Sequence, residues 1–255
     1  MISYACSWKQ PPLHVNLQQN DVHVWFASLD VSVPHLSQLA STLNTVERER
    51  AKRFYLEQDK ARFIAGRGLL RTILGYYSDV EAAELQFSYS SLGKPFLAET
   101  YRGSSIQFNL SHAHGFVLYA ITLDRKIGVD LEYIKHIPEA DRIVHRFFSH
   151  QEKADFHTFN SDEKPTAFFR YWTCKEAYIK ACGQGLTHSL DQIEISLAPK
   201  KPATVLSIKG EAQATCHWFL QELQPTDDLA AALVVEGSQP LVTCWHIPHW
   251  QEITV

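Results

Sequence analysis

The chain has 255 residues, of which 45% are hydrophobic and 12% aromatic, with 11 Gly and 11 Pro. This composition excludes a disordered, collagen-like or low-complexity chain. The formal net charge of −4 argues against nucleic-acid binding through bulk positive charge. No apolar run approaches the roughly 18–20 residues needed to cross a bilayer. We therefore expect a globular protein of one large domain or two compact halves, with no nucleic-acid or membrane partner.

Cysteine usage and the N-terminus indicate the compartment. The five cysteines are scattered and form no Cys-x-x-Cys pair, which is typical of a reducing compartment and argues against a thiolate zinc site. Residues 1–10 lack the charged start and apolar block of a signal peptide. Both features predict a cytoplasmic protein.

The first predicted elements are a strand and three helices. Residues 22–26 are strand-like, and apolar residues after Pro34 follow helical spacing. Thr45 is a candidate N-cap of a second, charged helix. A longer helix is expected from about Asp59 to Leu74, ended by Gly75.

Further along the chain, strands are predicted where apolar residues alternate or run together. These segments are 85–89, 106–110, 116–122, 127–132, 205–208, 214–222, 229–235 and 241–246. We expect 116–122 and 127–132 to pair as an antiparallel hairpin across Asp124.

An internal repeat bears on the domain organisation. Arg53–Phe63 (RFYLEQDKARF) and Arg146–Phe156 (RFFSHQEKADF) are identical at six of eleven positions. A chance match between two amphipathic helix starts is the alternative to duplication. We favour duplication: an α+β protein of two similar α/β halves, residues 1–124 and 125–255, related by pseudo-twofold symmetry. A cleft between such halves is a natural small-molecule site.

Two carboxylates stand at alternate positions of a predicted strand. In Ile127–Glu132 (IGVDLE), Asp130 and Glu132 point to one face, while Val129 and Leu131 point to the core. Neighbouring carboxylates repel each other unless one is protonated or a cation lies between them. A solvated edge strand is the alternative.

A predicted helix, 167–182, carries a third carboxylate. Glu176 and Lys180 lie at i and i+4 on one face, which alone would indicate a surface ion pair worth about 0.3–0.5 kcal/mol. Together with Lys175, however, they supply the mixture of charges that a metal and anionic phosphates require. Mg²⁺ prefers oxygen ligands and often shares them with substrate phosphates.

Three shorter motifs complete the set. A strand, 108–112 (FNLSH), ends in a histidine that could hydrogen-bond a phosphate, although a lone histidine is more often structural. The turn 93–96 (GKPF) offers an ammonium and a flat apolar surface, a combination also common in plain loops. Ser149 and Glu152 form a capping-box pattern, so we favour a helix cap over a catalytic role for Glu152.

These blocks, in this order, resemble the 4′-phosphopantetheinyl transferase superfamily, specifically its larger Sfp type. The matching stretches are Gly93–Pro95, Phe108–His112, Gly128–Glu132, Arg146–Ser149 with Glu152, and Trp172–Lys180 continuing to Gly185 and Leu186. The combination of VDLE with WTCKEAYIK some forty residues later is the specific signal. The family's two-halved architecture agrees with the repeat.

The resemblance implies an enzyme that transfers the 4′-phosphopantetheine arm of coenzyme A to a serine of an acyl, peptidyl or aryl carrier protein, releasing 3′,5′-ADP. It implies Mg²⁺ held by Asp130, Glu132 and Glu176. Glu176 would also be the base for the carrier serine, directly or through a metal-bound water. Lys180 would contact the pyrophosphate, with help from Lys175.

For the nucleotide part of coenzyme A, the resemblance assigns six residues. His112 with Ser111 would bind the 3′-phosphate side, and Lys94 with Pro95 would flank the adenine. Arg62 and Arg50 would add positive charge from the N-terminal half. The resemblance also implies a monomer. A Mg²⁺-dependent nucleotide or phosphate-ester hydrolase and a non-catalytic carrier-binding protein remain the alternatives.

Overall fold

A computed structural model of the chain describes residues 6–98, 105–183, 190–197, 203–208, 210–211 and 216–247. Gly185 and Leu186 of the last motif lie outside these residues. Within them, no helix combines the length and apolar character that a membrane span requires.

The helices are α1 (Val33–Thr42), α2 (Thr45–Ala51), α3 (Glu57–Ser78), α4 (Ala140–Phe147), α5 (His150–Thr158) and α6 (Lys164–Cys182). The strands are β1 (Trp8–Lys9), β2 (Asp21–Ser28), β3 (Phe87–Tyr89), β4 (Pro95–Leu97), β5 (Ile106–Ala113), β6 (Phe116–Leu123), β7 (Ile127–Tyr133), β8 (Ile193–Ser196), β9 (Thr204–Ile208), β10 (Trp218–Leu223), β11 (Leu229–Glu236) and β12 (Leu241–Ile247).

The strand topology shows the same pattern twice. In the first half, β2 is followed by three helices, the β3–β4 ribbon and the β5–β6 hairpin, and the sheet runs β2-β6-β5. In the second half, β7 is followed by three helices, the β8–β9 ribbon and the β10–β11 hairpin, and the sheet runs β7-β11-β10. In both halves the last strand lies between the first strand and the penultimate one. This shared order supports the duplication inferred from the repeat.

The two repeated segments also begin helices at matching positions. α3 begins at Glu57 and α5 begins at His150, so each starts four residues after the first arginine of its repeat. At the second start, Ser149 and Glu152 form the predicted capping box, with Glu152 N donating to Ser149 Oγ at 3.2 Å.

Strand pairing differs from the prediction in two places. β6 and β7 do not form a hairpin: β7 pairs with β11, opposing Asp130 to Ala232, because the chain passes from one half to the other between them. β12, which we assigned to the second half, runs parallel to β2 and extends the first sheet.

Helix boundaries also differ in the first half. Asn44, not Thr45, caps α2, since its side chain accepts from Glu47 N at 2.9 Å. Glu47 is buried and accepts from Arg71 Nε at 2.7 Å. α3 continues past Gly75 to Ser78.

The two sheets share one core and carry their helices on the outer faces. Val24, Leu118 and Val129 are among the buried side chains that meet between the sheets. α3 packs on the outer face of the first sheet and α6 on that of the second. Apolar residues of β7 therefore face inward, and its alternate residues face α6.

A disulfide joins Cys6 to Cys244, 238 residues apart. This disulfide contradicts the expectation, drawn from the scattered cysteines, that the protein lies in a reducing compartment. β1 pairs with β12, opposing Trp8 to Cys244, and this pairing brings the N-terminal cysteine to the strand. Sequence spacing could not indicate such a distant pair.

Candidate active site

A cavity of about 920 Å³ is lined by residues of both halves. It contains nine of the eleven residues predicted for the site: Arg50, Lys94, Pro95, Ser111, His112, Asp130, Glu132, Glu176 and Lys180. The two predicted residues that are not among its lining residues are Arg62 and Lys175.

Gly128 permits the close packing that builds the acidic side of the cavity. A Cβ at this position would overlap the carbonyl oxygen of Ala177 and the backbone nitrogen of Ala181. α6 therefore lies directly on β7. This contact brings Glu176 and Lys180 of the helix to Asp130 of the strand.

Lys180 links two of the predicted residues. Its Nζ donates to Asp130 Oδ1 at 2.6 Å and to Ser111 Oγ at 2.8 Å. Ser111 Oγ in turn donates to the same carboxylate oxygen at 2.9 Å. Asp130 Oδ2 and Glu176 Oε1 are buried and have no hydrogen-bond partner among the described residues.

Burial and mutual repulsion shift the acidity of these carboxyl groups. Burial, with the nearby Asp130 carboxylate, raises the pKa of Glu176 to about 7 despite Lys180. The same two causes raise the pKa of Glu132. Lys180 therefore only partly offsets the repulsion among these carboxyl groups, and binding of a further cation would relieve it.

The donor set fits Mg²⁺ bound jointly with a phosphate. Within the described part of the chain, no three His, Cys, Asp or Glu side chains form a ready-made metal cluster. Mg²⁺ does not require one, because it commonly uses one or two carboxylates with waters and substrate phosphates. The unpartnered oxygens of Asp130 and Glu176 are ligands of the required kind.

Lys94 has a structural contact as well as a place in the cavity. Its Nζ donates to the carbonyl oxygens of Lys180 at 2.7 Å and Ile127 at 3.0 Å. Burial lowers the pKa of Lys94 to about 8. Its ammonium thus ties the β3–β4 turn to β7 and α6, so that Pro95 is held at the cavity.

His112 lies one residue before the end of β5 and lines the same cavity, where partial burial and the Lys180 ammonium lower its pKa. A neutral imidazole results at neutral pH, able to donate one hydrogen bond to an anion.

Lys175 was predicted to help bind the pyrophosphate, and the structure contradicts this. Its ammonium is fully buried, lies 2.7 Å from Glu152 Oε2 and donates to the carbonyl oxygen of Leu190 at 2.8 Å. Glu152 Oε1 also accepts from Ile195 N at 2.8 Å. One residue before Glu176 on the helix, Lys175 faces the interior.

Arg62 is not among the residues that line the cavity, and it pairs with Asp30 instead. Its guanidinium forms a two-bond pair with Asp30, at 2.7 Å and 2.8 Å, beside the β5–β6 turn at Gly115. The prediction that Arg62 binds phosphate in the cavity conflicts with this placement.

Two other arginines line the cavity instead. Arg67 extends from α3, and Arg146 lies at the end of α4. From the sequence, Arg146 was identified only as the start of the second repeat and of a matching motif, and Arg67 was not identified. No local signal distinguishes Arg67 from Arg62 and Arg71 on the same helix, which pair with Asp30 and Glu47 instead.

Comparison with known proteins agrees with this geometry. The family model described as the 4′-phosphopantetheinyl transferase superfamily matches residues 126–234, and that of 4′-phosphopantetheinyl transferase, N-terminal, matches residues 30–123. The chain is 40% identical over 240 residues to the 4′-phosphopantetheinyl transferase HetI of Nostoc sp., covering 94% of this chain and 98% of the relative.

Two relatives from Bacillus subtilis are more distant. The 4′-phosphopantetheinyl transferase ffp is 32% identical over 167 residues, covering 66% of this chain and 72% of the relative. The 4′-phosphopantetheinyl transferase Sfp is 31% identical over 157 residues, covering 62% of this chain and 67% of the relative. The chain therefore belongs to the 4′-phosphopantetheinyl transferase superfamily, as an enzyme of the Sfp type that transfers the phosphopantetheine arm of coenzyme A to a carrier protein.

Proposed function

We propose that transfer in this protein depends on Mg²⁺ and takes place in the cavity between the halves. The observation that carries the proposal is the pair of buried, unpartnered oxygens, Asp130 Oδ2 and Glu176 Oε1, facing the same cavity as several cations. An acidic metal site and a basic phosphate site in one cavity suit a substrate that carries phosphate at two separate positions.

Asp130, Glu132 and Glu176 would hold the metal. When bound, Mg²⁺ would neutralise the pyrophosphate and the charge on the departing 3′,5′-ADP. Lys180, already between Asp130 and Ser111, would add positive charge at the same point.

Glu176 is our candidate for the base. The carrier serine hydroxyl attacks the phosphorus attached to the pantetheine arm, the phosphorus–oxygen bond to ADP breaks, and the serine proton passes to Glu176. In the metal-free protein, burial and the nearby Asp130 carboxylate raise the pKa of Glu176 to about 7, and a carboxylate of higher pKa is a stronger base.

The remaining predicted residues would bind the nucleotide. Arg50, Ser111 and His112 would bind phosphate, and Pro95, fixed by the Lys94 contacts, would flank the adenine. The partner is an apo acyl, peptidyl or aryl carrier protein. We further propose that the protein is a monomer, because both halves of the cavity come from one chain.

The test combines the protein with coenzyme A, Mg²⁺ and a panel of apo carriers. We expect a mass gain of one phosphopantetheine arm on a carrier, abolished by a chelator and reduced at least 100-fold by Glu176→Gln. Glu57→Gln, an exposed carboxylate change on α3 outside the cavity, is the control. Phosphate release without carrier labelling would instead support the hydrolase alternative.

A further inference from the structure

β5 and β7 are the edge strands at which the two sheets meet. Among the described residues, β5 pairs only with β6 and β7 pairs only with β11, so each strand turns one backbone edge toward the other half. This junction is closed to solvent at Val129, which is fully buried. Because a buried N–H group without a partner is costly, the inner edge of β7 needs an acceptor from outside its own sheet.

Asn109 of β5 supplies that acceptor. Its Oδ1 accepts a hydrogen bond from Val129 N at 2.9 Å, and its side chain is buried. Two residues further along the same face of β5, Ser111 Oγ donates to Asp130 Oδ1 at 2.9 Å. Two side chains of the first half therefore hold two consecutive residues of the strand that carries the proposed metal ligands.

The two contacts differ in what they hold. Ser111 and Lys180 bond the carboxylate of Asp130, which is a side chain and can rotate. Asn109 bonds the backbone of β7 one residue earlier, so it acts on the position of the strand itself. Without this acceptor, the Val129 N–H group is satisfied only if β7 shifts or water enters the junction. Either change would alter the spacing between the carboxylates of β7 and Glu176 of α6.

We infer that Asn109 is a positioning residue for transfer, because it holds the two carboxylates of β7 where they can bind a metal together with Glu176. This inference rests on the proposed function. The amide oxygen of Asn109 is already used by Val129 N, so the role is support of the strand from the other half. Groups that orient metal ligands from outside the ligand set typically affect metal affinity or activity by about 10-fold to 100-fold.

Two variants of nearly equal size test whether the hydrogen bond itself is needed. Asn109→Leu removes the acceptor, whereas Asn109→Asp keeps an acceptor oxygen in either protonation state. We expect Asn109→Leu to lower kcat for carrier labelling and to raise the Mg²⁺ concentration for half-maximal labelling, each by about 10-fold or more. Asn109→Asp should lie close to wild type in both measurements. Asn109→Ala provides the same comparison if Asn109→Leu does not fold.

A control variant separates this role from a general loss of stability. Tyr119→Phe, on the neighbouring strand β6, removes the hydrogen bond from the Tyr119 hydroxyl to the Gly66 carbonyl oxygen, 2.6 Å long and outside the cavity lining. It should leave the Mg²⁺ titration unchanged.

Amide hydrogen exchange gives a readout without coenzyme A, metal or carrier. In Asn109→Leu the Val129 amide should exchange about 10-fold faster than in wild type, the effect of losing one hydrogen bond. The Leu233 amide, on the middle strand of the same sheet, should change much less.

Three results would overturn the inference: a wild-type kcat and Mg²⁺ titration in Asn109→Leu, equal losses in Asn109→Leu and Asn109→Asp, or equal acceleration of the Val129 and Leu233 amides. Failure of wild type to label any carrier would instead refute the proposed function, and with it the role of Asn109 in transfer. The exchange result would still show whether Asn109 holds β7.

Discussion

Gly128 offers the sharpest test of how packing creates the site. It lies on β7 under α6, where an added Cβ would meet the Ala177 carbonyl oxygen and the Ala181 nitrogen. Both atoms belong to helix backbone, so neither can rotate away. Gly128→Ala must therefore move the helix that carries Glu176 and Lys180.

The size of the effect follows from the kind of atoms involved. Overpacking against movable side chains costs about 1–3 kcal/mol. Because the clash here is with backbone, we expect the free energy of unfolding to fall by ~3 kcal/mol or more. A displacement of about 1 Å at a reacting group can cost about 100-fold in rate, and we expect carrier labelling to fall by at least that factor.

Urea unfolding and carrier-labelling rates measure the two effects. Gly66→Ala is the matched control, because its Cβ would lie 3.5 Å from Leu29 Cδ2 and 3.9 Å from the Tyr119 hydroxyl, ordinary contact distances. Within a helix that change should gain about 0.5–1 kcal/mol. Wild-type stability and activity in Gly128→Ala would refute the packing argument.

Three further predictions follow from the buried polar groups. Asp130→Asn should raise the Mg²⁺ concentration for half-maximal labelling by about 10-fold or more with unchanged circular dichroism; an unaltered Mg²⁺ titration would contradict the metal assignment. Glu152→Gln should lower the free energy of unfolding by about 3–5 kcal/mol, because Lys175 is left as a buried unpaired charge; a stability loss under 1 kcal/mol would count against it. Burial lowers the pKa of His23 from 6.5 to about 4, so below pH 6.5 the unfolded chain takes up a proton that the folded protein does not. The free energy of unfolding should therefore fall between pH 6.5 and pH 4, by up to ~3 kcal/mol from this residue. Urea unfolding across that range should show a shallower fall in His23→Gln, and identical slopes would disprove the assignment.

Local sequence periodicity was enough to place the acidic side of the site. Alternation along a strand put Asp130 and Glu132 on one face, and helical spacing put Glu176 and Lys180 together. In the structure all four side chains line the same cavity. The capping box of Ser149 and Glu152 also depends only on residues that are close in sequence, and the structure confirms it.

Strand partners and free cations were decided by the tertiary structure. β7 adjoins β6 in sequence but pairs with β11, because each half closes its own sheet. Arg62, Lys175 and Arg67 are all basic residues on helices, and nothing local distinguishes them. Asp30 and Glu152, distant in sequence, neutralise the first two. The sequence by itself thus determined the family, the duplication and the acidic residues, whereas long-range packing selected which arginine is left to face the cavity.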